Sequence, residues 1–180
     1  PIRNLSERSV FMGLISKLLK AFMPDEETQR LLDSKRIKTY VAGTSHYQDA
    51  IEDIYLDIDD YEEYNGYTTR EMREMCDGER KYKIPYHTFI VSNTKLELEH
   101  NNKYNSKAIK VISNGLHVGY VPNDDLERVH KILDCITAVH LYAKGGEYKE
   151  AVENPETFNT RLKTGSLPLG FMMEILYYKE

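Results

Sequence analysis

Residues 94–126 read TKLELEHNNKYNSKAIKVISNGLHVGYVPNDDL, and they decide the fold because three strand patterns and a helix start follow one another without interruption. Leucine alternates with charged residues over 95–99, which is typical of a half-buried strand. Apolar residues then recur over 108–113 and 116–121, on either side of the Asn-Gly dipeptide at 114–115. Because Asn-Gly favours tight hairpin turns, the stretch predicts a three-stranded antiparallel meander.

A helix is predicted directly after this meander. Pro122 ends the third strand, since proline has no N–H to donate to a strand partner. Residues 123–125 are Asn-Asp-Asp and offer capping side chains ahead of Leu126, Val129 and Leu133, which have helical spacing. The block therefore predicts strands followed by one helix.

Several short motifs follow one another within and upstream of the meander. A glutamate precedes an Asn-x-Tyr-x turn at 102–105, which is followed by Ala-Ile-x-Val at 108–111, by Asn-Gly, and by Val-Gly-Tyr-Val-Pro at 118–122. Upstream, YVAGTSHY at 40–47 supplies a strand pattern with a glycine bend. This order resembles the HIRAN domain family, in particular its stand-alone bacterial members. The resemblance covers three segments, roughly 38–54, 88–150 and 165–179.

The resemblance implies a mainly β fold, α+β overall. Its centre would be a small six-stranded β-barrel related in shape to OB and SH3 barrels, with a helix after Pro122. We expect this HIRAN-like domain to occupy residues 38–180, with an insertion at about 55–87 that compact family members lack. The closing strands are expected at 136–143 and 169–178.

The insertion is expected to be partly helical. Thr68 or Thr69, with Glu71 shortly after, forms a capping-box pattern at the start of a short helix over 68–76. The segment 85–91 is predicted to re-enter a strand, because it is rich in β-branched and aromatic residues.

Two further segments are expected outside the barrel strands. Residues 1–37 are predicted to form a helical extension, with an amphipathic helix over 6–22 and a shorter one over 25–34. Residues 145–165 are predicted to be irregular, with a helical turn within 147–152.

The resemblance also implies a binding site. The best-understood HIRAN domains capture the 3′ end of single-stranded DNA, using an aromatic residue at the end of the first strand and the Asn-x-Tyr turn. Asn105 stands where the family often has an aspartate that receives the 3′ hydroxyl, and a neutral amide is the weaker acceptor. Carried over to this sequence, the DNA-binding residues would be His46, Tyr47, Asn102, Lys103, Tyr104, Asn105, Lys107 and Tyr120.

The charge distribution bears on this expectation in two ways. The formal net charge of −5 argues against a binder that relies on phosphate neutralisation. However, no lysine or arginine occurs between Thr39 and Thr69, where acidic residues cluster, so the remainder is close to neutral. Lys103, Lys107 and Lys110 lie on or beside the predicted turn.

We therefore expect a nucleic-acid-binding module for a single-stranded DNA 3′ end, in a DNA repair or replication context, without catalysis or cofactor. Any helicase or nuclease activity would belong to partner domains or proteins. The alternative is a protein-interaction or assembly module that kept the barrel and lost DNA binding, with a homo-oligomer formed through the N-terminal helix. A metal-dependent nuclease using the acidic run at 57–60 is the third and least supported reading.

Other function classes lack sequence support. There is no nucleophile-elbow or phosphate-loop motif, and Cys76 and Cys135 are too few and too far apart for a zinc cluster or a disulfide framework. No apolar run approaches the length of a membrane span, so the expected location is the cytoplasm.

Overall fold

The computed structural model describes residues 35–58, 61–90 and 92–178. The two predicted N-terminal helices lie outside these ranges, as do Asp59 and Asp60 of the acidic run. The described residues form a mainly β protein with antiparallel sheets and three helices. None of these helices is long and apolar enough to cross a membrane.

The described residues contain eight strands and three helices. Three short 3-10 segments connect them, at Thr44–His46, Glu63–Gly66 and Leu133–Cys135. In chain order the strands and helices are β1 (Lys35–Tyr40), α1 (Gln48–Leu56), α2 (Thr69–Met75), β2 (Arg80–Tyr82), β3 (Phe89–Ile90), β4 (Thr94–Leu98), β5 (Ile109–Ser113), β6 (Leu116–Tyr120), α3 (Asn123–His130), β7 (Ile136–Glu153) and β8 (Thr160–Tyr177).

The strands pair into two antiparallel sheets. The first, called sheet 1, has the order β1-β8-β7-β2, and β3 also pairs with β7. The second, called sheet 2, has the order β4-β5-β6. Sheet 2 is the meander that the sequence predicts, so this expectation is confirmed.

The turn chemistry of sheet 2 agrees with its sequence. Asn114 and Gly115 have φ angles of 50° and 83°, and Ser113 pairs with Leu116 across the turn. Two consecutive positive φ angles are what a two-residue hairpin needs to match the twist of its strands. The Asn-Gly dipeptide therefore fixes the register of β5 and β6.

Both predicted helices in this part of the chain are present. The helix α2 begins with a complete capping box, in which Thr68 and Glu71 bond reciprocally. The helix α3 follows Pro122 directly, but no side chain caps it, contrary to the expectation for residues 123–125. Asp125 instead accepts a hydrogen bond from the hydroxyl of Thr39 in β1.

The described residues contain eight strands, where a six-stranded barrel is expected, and these strands pair into two sheets. The prediction of an irregular stretch over 145–165 with a helical turn is wrong, since β7 and β8 form one long hairpin of two 18-residue strands. The Gly145-Gly146 pair has φ angles of 84° and 85°, and the β7–β8 register shifts between Lys144 and Gly146. This glycine pair is therefore a bulge within β7 rather than the end of the strand.

The short strands also differ from expectation. Of the predicted 85–91 strand, Phe89–Ile90 pairs with β7 as a strand, while Val91 lies outside the described residues. The strand β2, inside the predicted insertion, pairs with the far half of β7 and was not predicted. The insertion is therefore partly integrated into sheet 1.

The helix α1 was missed as well. Its inward residues, Ile51, Ile54 and Tyr55, are spaced by three and four positions and are buried. This spacing is a helix signal, and the acidic residues around it masked the pattern.

The two sheets share one hydrophobic core. Ile37 and Phe171 from sheet 1 and Val111 and Val118 from sheet 2 are fully buried in the same cluster. A β-bridge joins the sheets. In this bridge the backbone N–H groups of Ala42 and Tyr120 each donate to the other residue's carbonyl, at 2.8 and 2.9 Å.

The bridge requires a glycine next to it. A Cβ at Gly119 would overlap the carbonyl oxygen of Ala42 and approach Val41 Cγ1 to 2.6 Å, and Gly119 has a φ angle of 144°. We expect Gly119→Ala to lower the free energy of unfolding by roughly 1–3 kcal/mol more than Gly78→Ala, as measured by urea denaturation.

Gly78 is a matched control, because its φ of 71° carries the usual cost of about 1–2 kcal/mol for a left-handed side chain while nothing lies within 4 Å of an added Cβ. Equal losses for the two variants would contradict a close approach at Gly119.

Candidate functional site

An open cleft of about 340 Å³ lies where the two sheets meet. The end of β1, the loop before β5, the end of β6 and the start of α3 all contribute to it. Its lining residues are Ala42, Gly43, Asn102, Tyr104, Asn105, Ala108, Tyr120, Val121, Asn123 and Leu126.

Asn102 braces the loop that forms one wall of the cleft. Its side-chain oxygen accepts hydrogen bonds from the backbone N–H groups of Tyr104 and Asn105, at 2.9 and 3.0 Å. Its side-chain nitrogen donates to Glu99 Oε2 at 2.7 Å. Because both ends of the amide are engaged, Asn102 fixes the loop shape from inside.

Asn105 links this loop to the helix α3. Its Oδ1 accepts from the backbone N–H of Lys107 at 2.9 Å, and its Nδ2 donates to Asn123 Oδ1 at 3.3 Å. An amide oxygen has two lone pairs, so one remains after the contact with Lys107. Asn105 can therefore still accept a hydrogen bond from a bound molecule.

Tyr104 is almost entirely exposed at the rim of the cleft. Its relative exposure of 97% excludes a role in the hydrophobic core. A large aromatic ring left in solvent beside a cleft is a ready stacking surface for another flat group.

A hydrogen-bonded network lies under the cleft. The hydroxyl of Tyr120 donates to Glu99 Oε2 at 2.9 Å, and the hydroxyl of Tyr47 donates to that of Tyr120 at 3.4 Å. Lys110 Nζ lies 3.8 Å from Glu99 Oε1. The ring of Tyr47 is packed against His117, with ring centroids 4.3 Å apart.

The network shifts the protonation equilibria of its members. The hydrogen bonds from Asn102 and then Tyr120 lower the pKa of Glu99, so its carboxylate is charged at neutral pH. Burial and then the hydrogen bonds with Tyr47 and Glu99 raise the pKa of Tyr120. Burial lowers the pKa of His117, which favours its neutral form. The network therefore contains one anion, Glu99, which is held by two hydrogen-bond donors, Asn102 and Tyr120, and by one cation, Lys110.

Of the predicted site residues, four line the cleft, namely Asn102, Tyr104, Asn105 and Tyr120. Tyr47 lies behind Tyr120 and partly in the core. The remaining three do not line the cleft and are exposed to solvent, namely His46, Lys103 and Lys107.

Sequence reasoning missed two residues of this site, Glu99 and His117. Glu99 belongs to the motif but was not assigned a role, although a charged residue next to a polar turn was a usable signal. His117 approaches the site through the pairing of sheet 2, which no local sequence pattern indicates. The resemblance places Asn123 where a DNA-contacting lysine is possible, and in the structure its Oδ1 accepts a hydrogen bond from Asn105 Nδ2.

A metal centre is not assembled by the described residues. No group of three or more His, Cys, Asp or Glu side chains converges there in a way that could hold an ion. The predicted acidic run includes Asp59 and Asp60, which lie outside the described ranges.

Three comparisons with known proteins found no match for this chain. No family model matches the chain, and no curated protein and no solved structure matches it either. The cleft and the sequence motifs around it are therefore the features that indicate a function.

The lowered pKa of Glu99 has a testable effect on stability. A carboxylate with a depressed folded-state pKa stabilises the fold above its ordinary value of 4.5, and this contribution is lost as the pH falls through the lowered value. We expect Glu99→Gln to have a lower melting temperature than wild type near neutral pH. Under more acidic conditions the two melting temperatures should approach each other.

The control for this experiment is Glu127→Gln, which removes an exposed acid from α3 and should change the melting temperature little. A difference between wild type and Glu99→Gln that stays constant down to strongly acidic pH would contradict the assigned role of Glu99.

Proposed function

We propose that this protein is a nucleic-acid-binding module that captures the 3′ end of a single-stranded DNA in the cleft, without catalysing a reaction. The observation that carries the proposal is the convergence of Asn102, Tyr104, Asn105 and Tyr120 on one open cleft. The sequence motifs predict these four residues as members of one site without any knowledge of distant contacts. Asn102, Tyr104 and Asn105 are separated from Tyr120 by the strand β5 and the turn into β6.

We further propose that the domain is a HIRAN-like barrel of the OB or SH3 type. Support comes from the core that the two sheets share and from the bridge between Ala42 and Tyr120. In this arrangement the glycine bend at Gly43 faces the loop at 102–105 across the cleft. The proposed family and the proposed site are thus supported by the same contacts.

The proposed mechanism begins with stacking. The exposed ring of Tyr104 would receive the terminal base or sugar, and one stacked base contributes on the order of 1–3 kcal/mol. The free lone pair of Asn105 Oδ1 would accept a hydrogen bond from the 3′ hydroxyl. Lys103 and Lys107, both exposed beside the loop, would meet a phosphate.

Glu99 acts in this mechanism without touching the DNA. It orients Asn102 and Tyr120, and its negative charge is offset by their two hydrogen bonds and by Lys110. This reduces the electrostatic penalty of a carboxylate near a phosphate. The module would serve DNA repair or replication in the cytoplasm, and any helicase or nuclease activity would come from its partners.

Tyr104→Ala tests the stacking step. We expect the variant to bind a 3′-hydroxyl tetranucleotide about tenfold more weakly than wild type in fluorescence polarisation. Its melting temperature should not change, because the ring is 97% exposed. Phe158→Ala removes a comparably exposed ring from the β7–β8 turn, at 76%, and should leave the affinity unchanged.

The wild-type protein should also bind the 3′-hydroxyl strand more tightly than the same strand with a 3′ phosphate. Equal binding of the two, or no binding, would reject end capture. The second outcome would instead favour the assembly module.

Asn105→Asp tests the acceptor. A carboxylate accepts a hydrogen bond from a hydroxyl more strongly than an amide does, so the preference for a 3′ hydroxyl over a 3′ phosphate should increase several-fold. Asn105→Ala should reduce the same preference. If both variants discriminate as wild type does, then Asn105 does not contact the terminal group.

A further inference from the structure

The solvent face of sheet 1 carries a group of cationic and aromatic side chains that the proposed end capture does not use. Cross-strand neighbours place Lys38, Glu174 and His140 in one row. Tyr40, Met172, Tyr142 and Phe89 form the adjacent row. We call this group the basic sheet face and define it by Arg36, Lys38, Tyr40, Phe89, Tyr142 and Lys144.

The charge of this face is opposite in sign to that of the whole chain. Arg36, Lys38 and Lys144 are exposed cations. The carboxylate on the face, Glu174, is 7% exposed and lies 3.7 Å from Arg36 and 3.8 Å from Lys38. Tyr142 also donates a hydrogen bond to it, at 3.2 Å. The three cations therefore exceed the one carboxylate, which is already surrounded by partners.

The aromatic side chains stand among these cations. Tyr40 and Phe89 are 45% and 47% exposed, and Lys144 Nζ lies 5.0 Å from the centroid of the Tyr40 ring. Phe89 meets Tyr142 edge to face, with centroids 5.6 Å apart. Cations that neutralise phosphates and rings on which bases stack are together the means by which proteins hold single strands.

The face leads into the cleft along β1. Side chains alternate across a strand, so Arg36, Lys38 and Tyr40 lie on the same side as Ala42, which lines the cleft. At about 3.3 Å per residue, the path from Arg36 to Ala42 is about 20 Å long. A strand with its end in the cleft would thus continue over the basic sheet face.

We propose that the basic sheet face binds the body of a single-stranded nucleic acid, through phosphates on Arg36, Lys38 and Lys144 and through bases on Tyr40 and Phe89. The basic sheet face is separate from the cleft. Only the placement of the 3′ end of the nucleic acid in the cleft rests on the proposed function.

The charge balance favours this occupant over a segment of the same chain. Residues 1–34 contain five lysines or arginines and five aspartates or glutamates, so they offer no net charge complementary to the face. A polyphosphate strand offers one negative charge per nucleotide.

The experiment compares oligothymidines of four and twelve nucleotides by fluorescence polarisation with the full chain. We expect wild type to bind the longer strand more tightly. The variant R36Q/K38Q should lose about tenfold in affinity for the longer strand, and the slope of log affinity against log salt should become shallower by about 1.4. The matched control K95Q/K131Q removes two exposed lysines elsewhere and should behave as wild type.

A second variant, Y40A/F89A, keeps the charges and tests the rings. It should also weaken binding of the longer strand, and wild type should bind an abasic twelve-residue strand more weakly than oligothymidine. Melting temperatures of all variants establish that they are folded. R36Q/K38Q should keep its preference for a 3′ hydroxyl on the short strand.

Two results would overturn the proposal, namely wild-type binding by R36Q/K38Q or equal affinity of wild type for the abasic strand and for oligothymidine. If wild type shows no preference for a 3′ hydroxyl and still binds the longer strand more tightly, with this gain lost in R36Q/K38Q, that result would reject end capture and support binding at the basic sheet face.

Discussion

The β-bridge between Ala42 and Tyr120 is the contact on which the candidate site depends. It joins sheet 1 to sheet 2 through two backbone hydrogen bonds, and it brings the glycine bend after β1 against the end of β6. Because Gly119 has no Cβ, the backbones approach closely enough for these bonds to form. The cleft and the route along β1 both follow from this approach.

Two carboxylates determine the local electrostatics of an otherwise acidic chain. Glu99 is held by Asn102, Tyr120 and Lys110, and Glu174 by Arg36, Lys38 and Tyr142. In each case an anion organises donors or cations around itself instead of projecting into solvent. The net charge of −5 is therefore a poor guide to either surface.

Much of sheet 2 could be predicted, because its signals are local. The strand over 95–99, the Asn-Gly turn and the stop at Pro122 each depend on signals within a few residues, and all three were confirmed, although Leu98 in β4 is exposed. The far half of β7 could not be predicted in the same way. Gly145 and Gly146 usually end a strand, and only the pairing with β8 shows that they form a bulge.

The sequence by itself determined the meander, the helix after it and the polar loop that carries Tyr104, since hydrophobic period, turn residues and proline specify these without distant contacts. Tertiary structure decided which residues share the cleft and which partners Glu99 meets. It also decided that the side chains of β1, Arg36, Lys38 and Tyr40, lie beside Phe89 and Lys144. These facts depend on which strands become neighbours. That choice is made by the burial of a common core and not by any one segment.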